Sequence, residues 1–274
     1  MRRRASVCSS GAQRRLIGGI KMVFTYNGYC FSYQQIGNMD GYPILVQHGL
    51  IATINDVYLF KSLTDAGIRV ISIARPGYGE SDPYEMENVG EWGIIIKELV
   101  YKLGINSFDV LGISSGAPYS YSIANACAEK IKNIYILSGI PALYDDNIVA
   151  HWPFPIDRNA DIRDLEILVK KLFFSDLSEL DLKREDIKAS MNNDCFGPAL
   201  DLKIRCKDWG FKLENLNSKV YMQHSKYDNI DAAKITAGLI TGCQLDITEN
   251  TDHFSSEIFE QFCNRIVLKM MHSS

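Results

Sequence analysis

Short apolar runs alternate with helical segments along most of the chain, and this alternation limits the fold more than any other feature. Six runs have the length and composition of strands, and two of them, PILVQ (43–47) and RVISIA (69–74), are of the kind that is buried on both faces. The other four are FDVLG (108–112), NIYILSG (133–139), KVYMQH (219–224) and CQLDIT (243–248). Helical spacing fills most of the intervals, at about 55–67, 88–103, 117–130 and 231–241, and a last helix spans about 255–271. Repeated strand–helix–strand units predict a parallel sheet with helices on both faces.

An antiparallel pair precedes these units. VFTYN and YCFSYQQ have a β-like pattern and meet at Asn27-Gly28, a dipeptide that favours a two-residue hairpin turn. The sequence therefore predicts an α/β fold with a mostly parallel, eight-stranded sheet.

The alternation lapses between about 142 and 213. This segment is polar and rich in Asp, Lys and Arg, and its pattern indicates helices without intervening strands. We interpret 142–213 as a small helical cap inserted after the sixth strand, with 21–141 and 214–274 forming the core domain.

The first twenty residues differ in composition from the rest. They contain five arginines and no acidic residue, although the whole chain has a net charge of −4. Such a composition is found in transit peptides, but we favour an expression leader or translated flanking sequence, so we predict that 1–20 is disordered and exclude it from the fold. The acidic remainder argues against a nucleic-acid partner.

Composition also indicates the compartment. No window is long and apolar enough to span a membrane, and the N-terminus lacks the apolar region of a secretory signal, so we expect a cytoplasmic protein. The seven cysteines are scattered and show no zinc-binding spacing, so we expect them to be reduced and mostly buried. We predict neither a metal nor another cofactor, and the oligomeric state stays open.

One strand-to-helix turn carries the pattern of a nucleophile. Gly112-Ile113-Ser114-Ser115-Gly116 fits G-x-S-x-G directly after a buried strand. A serine at such a turn has a strained backbone, and the residues two before and two after it must be small for strand and helix to approach. Ser114 meets this condition and Ser115 does not, so Ser114 is the predicted nucleophile, against the alternative of an inert serine in a glycine-bounded turn.

A serine hydroxyl needs a neighbouring base, and the base needs an orienting carboxylate. With this elbow the expected chain order is Ser, then Asp or Glu, then His. His253 lies in the loop between the last strand and the last helix, where a base can reach the elbow, and we prefer it to His151, His224 and His272. Asp228, in the loop after KVYMQH, is the preferred acid, and Asp145 stays the alternative.

Acyl transfer also needs hydrogen-bond donors for the oxyanion that forms. We predict that the backbone N–H groups of Leu50 and Ser115 are these donors, because they lie after the strand PILVQ and directly after the nucleophile. His48 is interpreted as a residue that holds the first of these loops in place.

With these residues placed, the chain resembles the α/β-hydrolase superfamily over nearly all of 22–272. ARPGYGESDP (74–83) resembles the arginine-proline-glycine turn after the fourth strand of many bacterial members, and Asp-Trp-Gly-Phe (208–211) resembles the end of their cap. Where relatives have His-Gly before the acid, this chain has His224-Ser225, which puts the conformation of the acid loop in question. The resemblance implies the α/β-hydrolase fold and a serine hydrolase without cofactor.

The predicted activity is cleavage of a small or medium carboxylic ester, thioester or amide through an acyl-enzyme. Trp152, Phe154, Phe173 and Phe196 of the cap are predicted to line the substrate pocket, unless they form the core of the cap. Resemblance to the proline iminopeptidase branch keeps an aminopeptidase as an alternative. A cofactor-free lyase and a non-catalytic binding or signalling protein of the same fold also stay open.

Overall fold

One nine-stranded sheet organises the chain. The computed structural model describes residues 14–16 and 19–272, so most of the predicted leader lies outside the described residues. The strands are β1 (Arg14–Leu16), β2 (Gly19–Tyr26), β3 (Tyr29–Gly37), β4 (Pro43–Gln47), β5 (Arg69–Ile73), β6 (Phe108–Ile113), β7 (Ile131–Leu137), β8 (Lys219–Ser225) and β9 (Gln244–Thr248).

The strand order is β1-β2-β3-β5-β4-β6-β7-β8-β9. The six strands β5, β4, β6, β7, β8 and β9 pair in parallel in that order. The pairs β1–β2, β2–β3 and β3–β5 are antiparallel. All eight predicted strands are present, which confirms the mostly parallel sheet. The additional strand β1 pairs Arg14 with Lys21 and Leu16 with Gly19, so part of the segment excluded as a leader extends the sheet edge.

The predicted hairpin joins β2 to β3. Asn27 and Gly28 have φ of 50° and 82°, and Tyr26 pairs directly with Tyr29. Two successive positive φ angles are what a two-residue turn matched to the strand twist requires, which explains the Asn-Gly dipeptide.

Helices cover both faces of the sheet. They are α1 (Lys61–Asp65), α2 (Gly90–Lys102), α3 (Ala117–Ala126), α4 (Asp146–Val149), α5 (Ile162–Phe173), α6 (Glu185–Ile204), α7 (Ile230–Gly238) and α8 (Ser256–Met271). Buried side chains of α2 and α3 pack in one core cluster, and those of α1 and α8 pack in the cluster on the opposite face. Strands buried on both faces explain the continuous apolar runs in the sequence.

The segment between β7 and β8 contains α4, α5 and α6 and no strand. The long helix α6 is broken at 192–195, where three successive residues have positive φ angles. At the break, the Asn192 side chain donates to the Gly79 carbonyl, and the N–H of Gly79 donates to the Ala189 carbonyl at 2.9 Å. This segment is therefore fastened to the turn after β5.

The cysteine prediction is wrong at one position. Cys127, Cys195, Cys206, Cys243 and Cys263 are free thiols, whereas Cys30 is disulfide-bonded. The expectation relied on wide spacing in the sequence, but a disulfide depends on the distance between two thiols in the fold. Cys8 lies outside the described residues.

Within the described ranges, the helices are all too short or too polar to cross a membrane. The same ranges contain no group of three or more His, Cys, Asp or Glu side chains suited to hold a metal ion.

Candidate active site

Ser114 lies at the sharp turn between β6 and α3, and its φ is 51°. Residues other than glycine rarely adopt this conformation, which marks a strained elbow. A Cβ on Gly112 would lie 2.4 Å from Ser120 Oγ, and a Cβ on Gly116 would lie 2.1 Å from the carbonyl oxygen of Gln47. The close approach of β6, α3 and β4 therefore requires glycine at both positions.

Gly116→Ala tests this packing. We expect it to lower the free energy of unfolding by about 1–3 kcal/mol, because the added methyl group meets rigid backbone. Gly238→Ala is the matched control, since no atom lies within 4 Å of a Cβ there. Urea denaturation of both variants measures the difference, and equal stabilities would contradict the packing argument.

The structure brings Ser114, His253 and Asp228 together, although the serine and histidine are 139 positions apart. His253 Nε2 lies 2.8 Å from Ser114 Oγ, and His253 Nδ1 lies 2.5 Å from Asp228 Oδ2. The loop after β9 supplies the histidine, and the loop after β8 supplies the carboxylate. The hydroxyl can donate to Nε2 while Nδ1–H donates to the carboxylate.

Asp228 is held as a carboxylate. Partial burial would raise its pKa, but the hydrogen bond from His253 and the further interactions with the His253 and His224 rings and Asn229 outweigh burial, so its pKa lies below the ordinary value. Asn229 Nδ2 donates to the second carboxylate oxygen at 3.1 Å. The acid therefore stays ionised beside the imidazole it orients.

His224 supports the loop that carries Asp228. Its buried ring donates through Nε2 to the Asp228 carbonyl oxygen at 2.5 Å. Ser225, which stands where relatives have glycine, accepts a hydrogen bond from the Tyr227 N–H at 3.0 Å and donates to the Asn250 carbonyl. The His-Ser dipeptide thus ties the acid loop to the neighbouring loop after β9, and the sequence did not reveal this role.

Hydrogen bonds from His48, Arg75 and Tyr78 hold the loop after β4 in place. His48 Nδ1 donates to the carbonyl of the next residue, Gly49, at 2.8 Å. His48 Nε2 accepts a hydrogen bond from the backbone N–H of Arg75 at 3.2 Å. The fully buried Arg75 guanidinium donates to the carbonyls of His48 and Gly49 at 2.6 and 2.9 Å. The Tyr78 hydroxyl lies 2.8 Å from the Leu50 carbonyl oxygen and shares its single proton between that oxygen and Asp201. Three successive carbonyls of this loop are thereby held by Arg75 and Tyr78.

Asp201 of α6 neutralises Arg75. Its carboxylate accepts from Arg75 Nη2 at 2.6 Å and from Tyr78 and Tyr119 at 2.8 and 2.5 Å. Burial alone would lower the pKa of Arg75, but the neighbouring Asp201 carboxylate raises it, so the guanidinium stays charged. The network links the segment between β7 and β8 to the loop after β4. In the sequence, ARPGYG indicates only the resemblance to a family, and no local pattern identifies Asp201 as the partner of Arg75.

Burial keeps two histidines neutral, which predicts a pH-dependent stability. Burial lowers the pKa of His48 well below 6.5, with help from the Arg75 charge, and burial also lowers the pKa of His224. The unfolded chain protonates both near pH 6.5 and the folded protein does not, so stability is lost as the pH falls below that value. Each neutral histidine contributes a slope of up to about 1.4 kcal/mol per pH unit.

Urea denaturation between pH 7.5 and 5.5 measures this slope. We expect the free energy of unfolding to fall with pH in the wild type and to fall less steeply in His48→Gln, whose amide can replace both hydrogen bonds without titrating. Equal slopes for the two proteins would contradict the buried neutral state of His48.

Several predicted residues lie elsewhere. Asp145, the alternative acid, caps α4 by accepting the Asn147 N–H at 2.8 Å. His151 and His272 are exposed. Phe196 is 5% exposed and packs in the main core, where a Cβ on Gly77 would lie 2.6 Å from its ring. Because α6 is broken just before it, Phe196 turns towards the Arg75–Gly79 turn and away from the site.

A cavity of about 1240 Å³ opens beside Ser114 and His253. Leu50 and Ser115 lie in its lining, and so do three of the predicted aromatic residues, Trp152, Phe154 and Phe173. The Leu50 N–H donates to no other group among the described residues. The cavity thus brings the elbow, the loop after β4 and the aromatic side chains of the segment before β8 to one space.

A mostly parallel sheet covered on both faces, with a strained serine between strand and helix, defines the α/β-hydrolase class. The chain belongs to the alpha/beta hydrolase family, whose sequence profile matches residues 44–260. The family match confirms the resemblance seen in the sequence and the prediction of a hydrolase.

Individual proteins show more distant similarity. The hydrolase YcgS of Bacillus subtilis strain 168 is 27% identical over 116 residues, which are 42% of this chain and 40% of that protein. An esterase from Exiguobacterium antarcticum has a TM-score of 0.67 at 17% identity, over 90% of this chain and 96% of its own. The carboxylesterase CesB of Bacillus subtilis has a TM-score of 0.61 at 14% identity, over 93% and 92%. At these identities the two structures indicate a shared fold.

Proposed function

We propose that the protein is a serine hydrolase that cleaves a small or medium carboxylic ester, thioester or amide through an acyl-enzyme. The observation that carries the proposal is the continuous hydrogen-bonded series from Ser114 Oγ through His253 to Asp228, with both distances at or below 2.8 Å. Such a series is what converts a weakly nucleophilic hydroxyl into an attacking group.

In the first step, Ser114 Oγ attacks the substrate carbonyl carbon while its proton passes to His253 Nε2. The imidazolium that forms is stabilised by Asp228, and it then protonates the leaving alcohol, thiol or amine as the bond to the acyl carbon breaks. In the second step, water attacks the acyl carbon, gives a proton to His253 and releases the carboxylic acid, and Ser114 recovers its proton.

The N–H groups of Leu50 and Ser115 are the proposed donors to the oxyanion of each tetrahedral intermediate. Arg75 and Tyr78 bind the carbonyls of His48, Gly49 and Leu50 and so hold this loop, and the Leu50 N–H has no acceptor among the described residues. Preorganised donors of this kind each contribute about 10²–10³-fold in kcat in enzymes where they have been removed.

The mostly apolar cavity favours an apolar acyl group over an aminopeptidase substrate. An aminopeptidase needs a free carboxylate to bind the substrate's amine, but Glu185 in the lining accepts from Lys188 at 2.9 Å and Asp186 accepts from Arg184 at 2.6 Å. Both of these carboxylates are already neutralised, so an α-amino group would gain little from them. Asp56 also lines the cavity and accepts the Leu59 N–H at 3.3 Å, and the anilide comparison below tests whether it binds an amine. A binding protein would not need the complete, aligned series of three side chains, which is why we prefer an enzyme.

The test is turnover of 4-nitrophenyl esters from acetate to decanoate, compared with alanine and proline 4-nitroanilides. We expect ester hydrolysis with a maximum in kcat/KM at one chain length and slower cleavage of both anilides. A higher kcat/KM for proline anilide would favour the aminopeptidase, and turnover of none of them would contradict a serine hydrolase.

A further inference from the structure

Arg205 brings a positive charge to the wall of the candidate active site. It caps the C-terminal end of α6 and lines the same cavity as Ser114. Among the described residues, no carboxylate forms an ion pair with its guanidinium, and its Nε is buried without a hydrogen-bond partner. A half-buried charge without a counter-ion is costly, so a ligand that supplies one would be bound favourably.

The nearby acids are already engaged. Asp201 lies one helical turn before Arg205, but its carboxylate is bound by Arg75, Tyr78 and Tyr119. The other arginine of the lining, Arg184, pairs with Asp186. Arg205 contacts the thiol of Cys206, which is a weak acceptor and carries no compensating charge. None of these acids therefore supplies Arg205 with a counter-ion, and an anionic ligand in the cavity can.

Trp152 adds a second unused donor beside it. The Arg205 guanidinium carbon lies 5.9 Å from the centre of the Trp152 ring, and the indole Nε1 is also buried without a partner. Both groups can only donate hydrogen bonds, so neither can satisfy the other. The two unpartnered atoms, Arg205 Nε and Trp152 Nε1, are themselves enclosed, so a carboxylate in the cavity would pair with the guanidinium Nη groups beside the indole.

We propose that Arg205 and Trp152 form a subsite for a carboxylate carried by the substrate, so that the preferred substrates are esters with a second, ionised carboxyl group. This inference rests on the proposed function and narrows its substrate class. The mostly apolar lining of the cavity suits a methylene chain that separates the carboxylate from the reacting ester.

The first experiment compares the wild type on matched pairs of substrates. The mono-4-nitrophenyl esters of adipate, suberate and sebacate are compared with 4-nitrophenyl hexanoate, octanoate and decanoate, in which a methyl group replaces the carboxylate. Shorter diacids are avoided because their monoesters cleave themselves by intramolecular attack. A carboxylate on the alcohol side is tested with 4-carboxyphenyl hexanoate against phenyl hexanoate. We expect kcat/KM to be at least about 10-fold higher for the anionic member of one pair, since a charged hydrogen bond contributes about 1.5–3 kcal/mol.

Variants identify the subsite. Arg205→Met is expected to lower the anionic-to-neutral ratio by about 10–100-fold, and Arg205→Lys to restore part of it. Arg163→Met is the matched control, because Arg163 is exposed on α5 and does not line the cavity, and we expect its ratio to equal that of the wild type. A ratio of one or less for every pair, or an unchanged ratio in Arg205→Met, would overturn the subsite even if neutral esters are hydrolysed.

Binding without turnover separates this inference from the proposed function. Calorimetry on Ser114→Ala measures the affinity for monomethyl adipate, suberate and sebacate against methyl hexanoate, octanoate and decanoate. Tighter binding of an anionic ester, lost in Ser114→Ala/Arg205→Met, supports the subsite even if no ester is cleaved. Equal binding of the two sets overturns it.

Discussion

Ser114→Ala is expected to lower kcat for short 4-nitrophenyl esters by about 10⁴–10⁶-fold, because it removes the nucleophile from a hydrogen-bonded unit of three residues. The steady-state rate of 4-nitrophenolate release measures this loss. His253→Ala is expected to lose a comparable factor, and Ser114→Ala/His253→Ala little more than Ser114→Ala alone, because residues that act as a unit are not additive. Additive losses would contradict a shared step.

The neighbouring serine provides the control. Ser115 Oγ is buried and has no hydrogen-bond partner, and alanine keeps the backbone N–H that we assign to the oxyanion. Ser115→Ala should therefore retain kcat within about an order of magnitude, far above the residual rate of Ser114→Ala. If Ser115→Ala were inactive and Ser114→Ala active, the assignment of the elbow would be wrong by one residue.

Asp201→Asn is expected to lower the free energy of unfolding by about 3–5 kcal/mol, because it leaves the fully buried Arg75 guanidinium without its counter-ion. It should also lower kcat, since Arg75 holds the carbonyls of the loop that carries the Leu50 N–H. Urea denaturation and ester turnover measure the two effects.

A surface ion pair of the same helix is the control for this prediction. Glu85→Gln removes the partner of Lys203, which pairs with it at 2.7 Å with half of the glutamate exposed, and such pairs contribute about 0–1 kcal/mol. Combining Arg75→Met with Asp201→Asn should cost less than the sum of the single changes, because the second change no longer creates an unpaired charge. A strictly additive result would contradict the buried pair.

Local patterns in the sequence were sufficient for the mostly parallel sheet, and they also indicated three side chains that the fold brings together at the elbow. The strands of a parallel sheet are continuous apolar runs, and a nucleophile elbow needs glycines at fixed spacing, so both leave a signal within a few residues. Ser114, Asp228 and His253 then follow from the loops at the carboxyl ends of strands, which meet at one edge of the sheet.

Contacts between distant segments left no such signal. Arg75 and Asp201 are 126 positions apart, and no local pattern distinguishes Asp201 from the other acids of that polar segment. The break in α6 depends on contacts with the Arg75–Gly79 turn, so the inward direction of Phe196 could not be predicted. The proposed subsite at Arg205 and Trp152 could not be predicted from the sequence either. Only the folded structure shows that both donors lack an acceptor and that Asp201 and Asp186 are bound by other groups.

The most direct test of the account is the position of a covalent label. A fluorophosphonate probe phosphonylates an activated serine, and peptide mass spectrometry identifies the modified residue. We expect one adduct per chain, on Ser114, and no labelling of Ser114→Ala. An unlabelled wild type, or an adduct on Ser115, would contradict the proposed nucleophile.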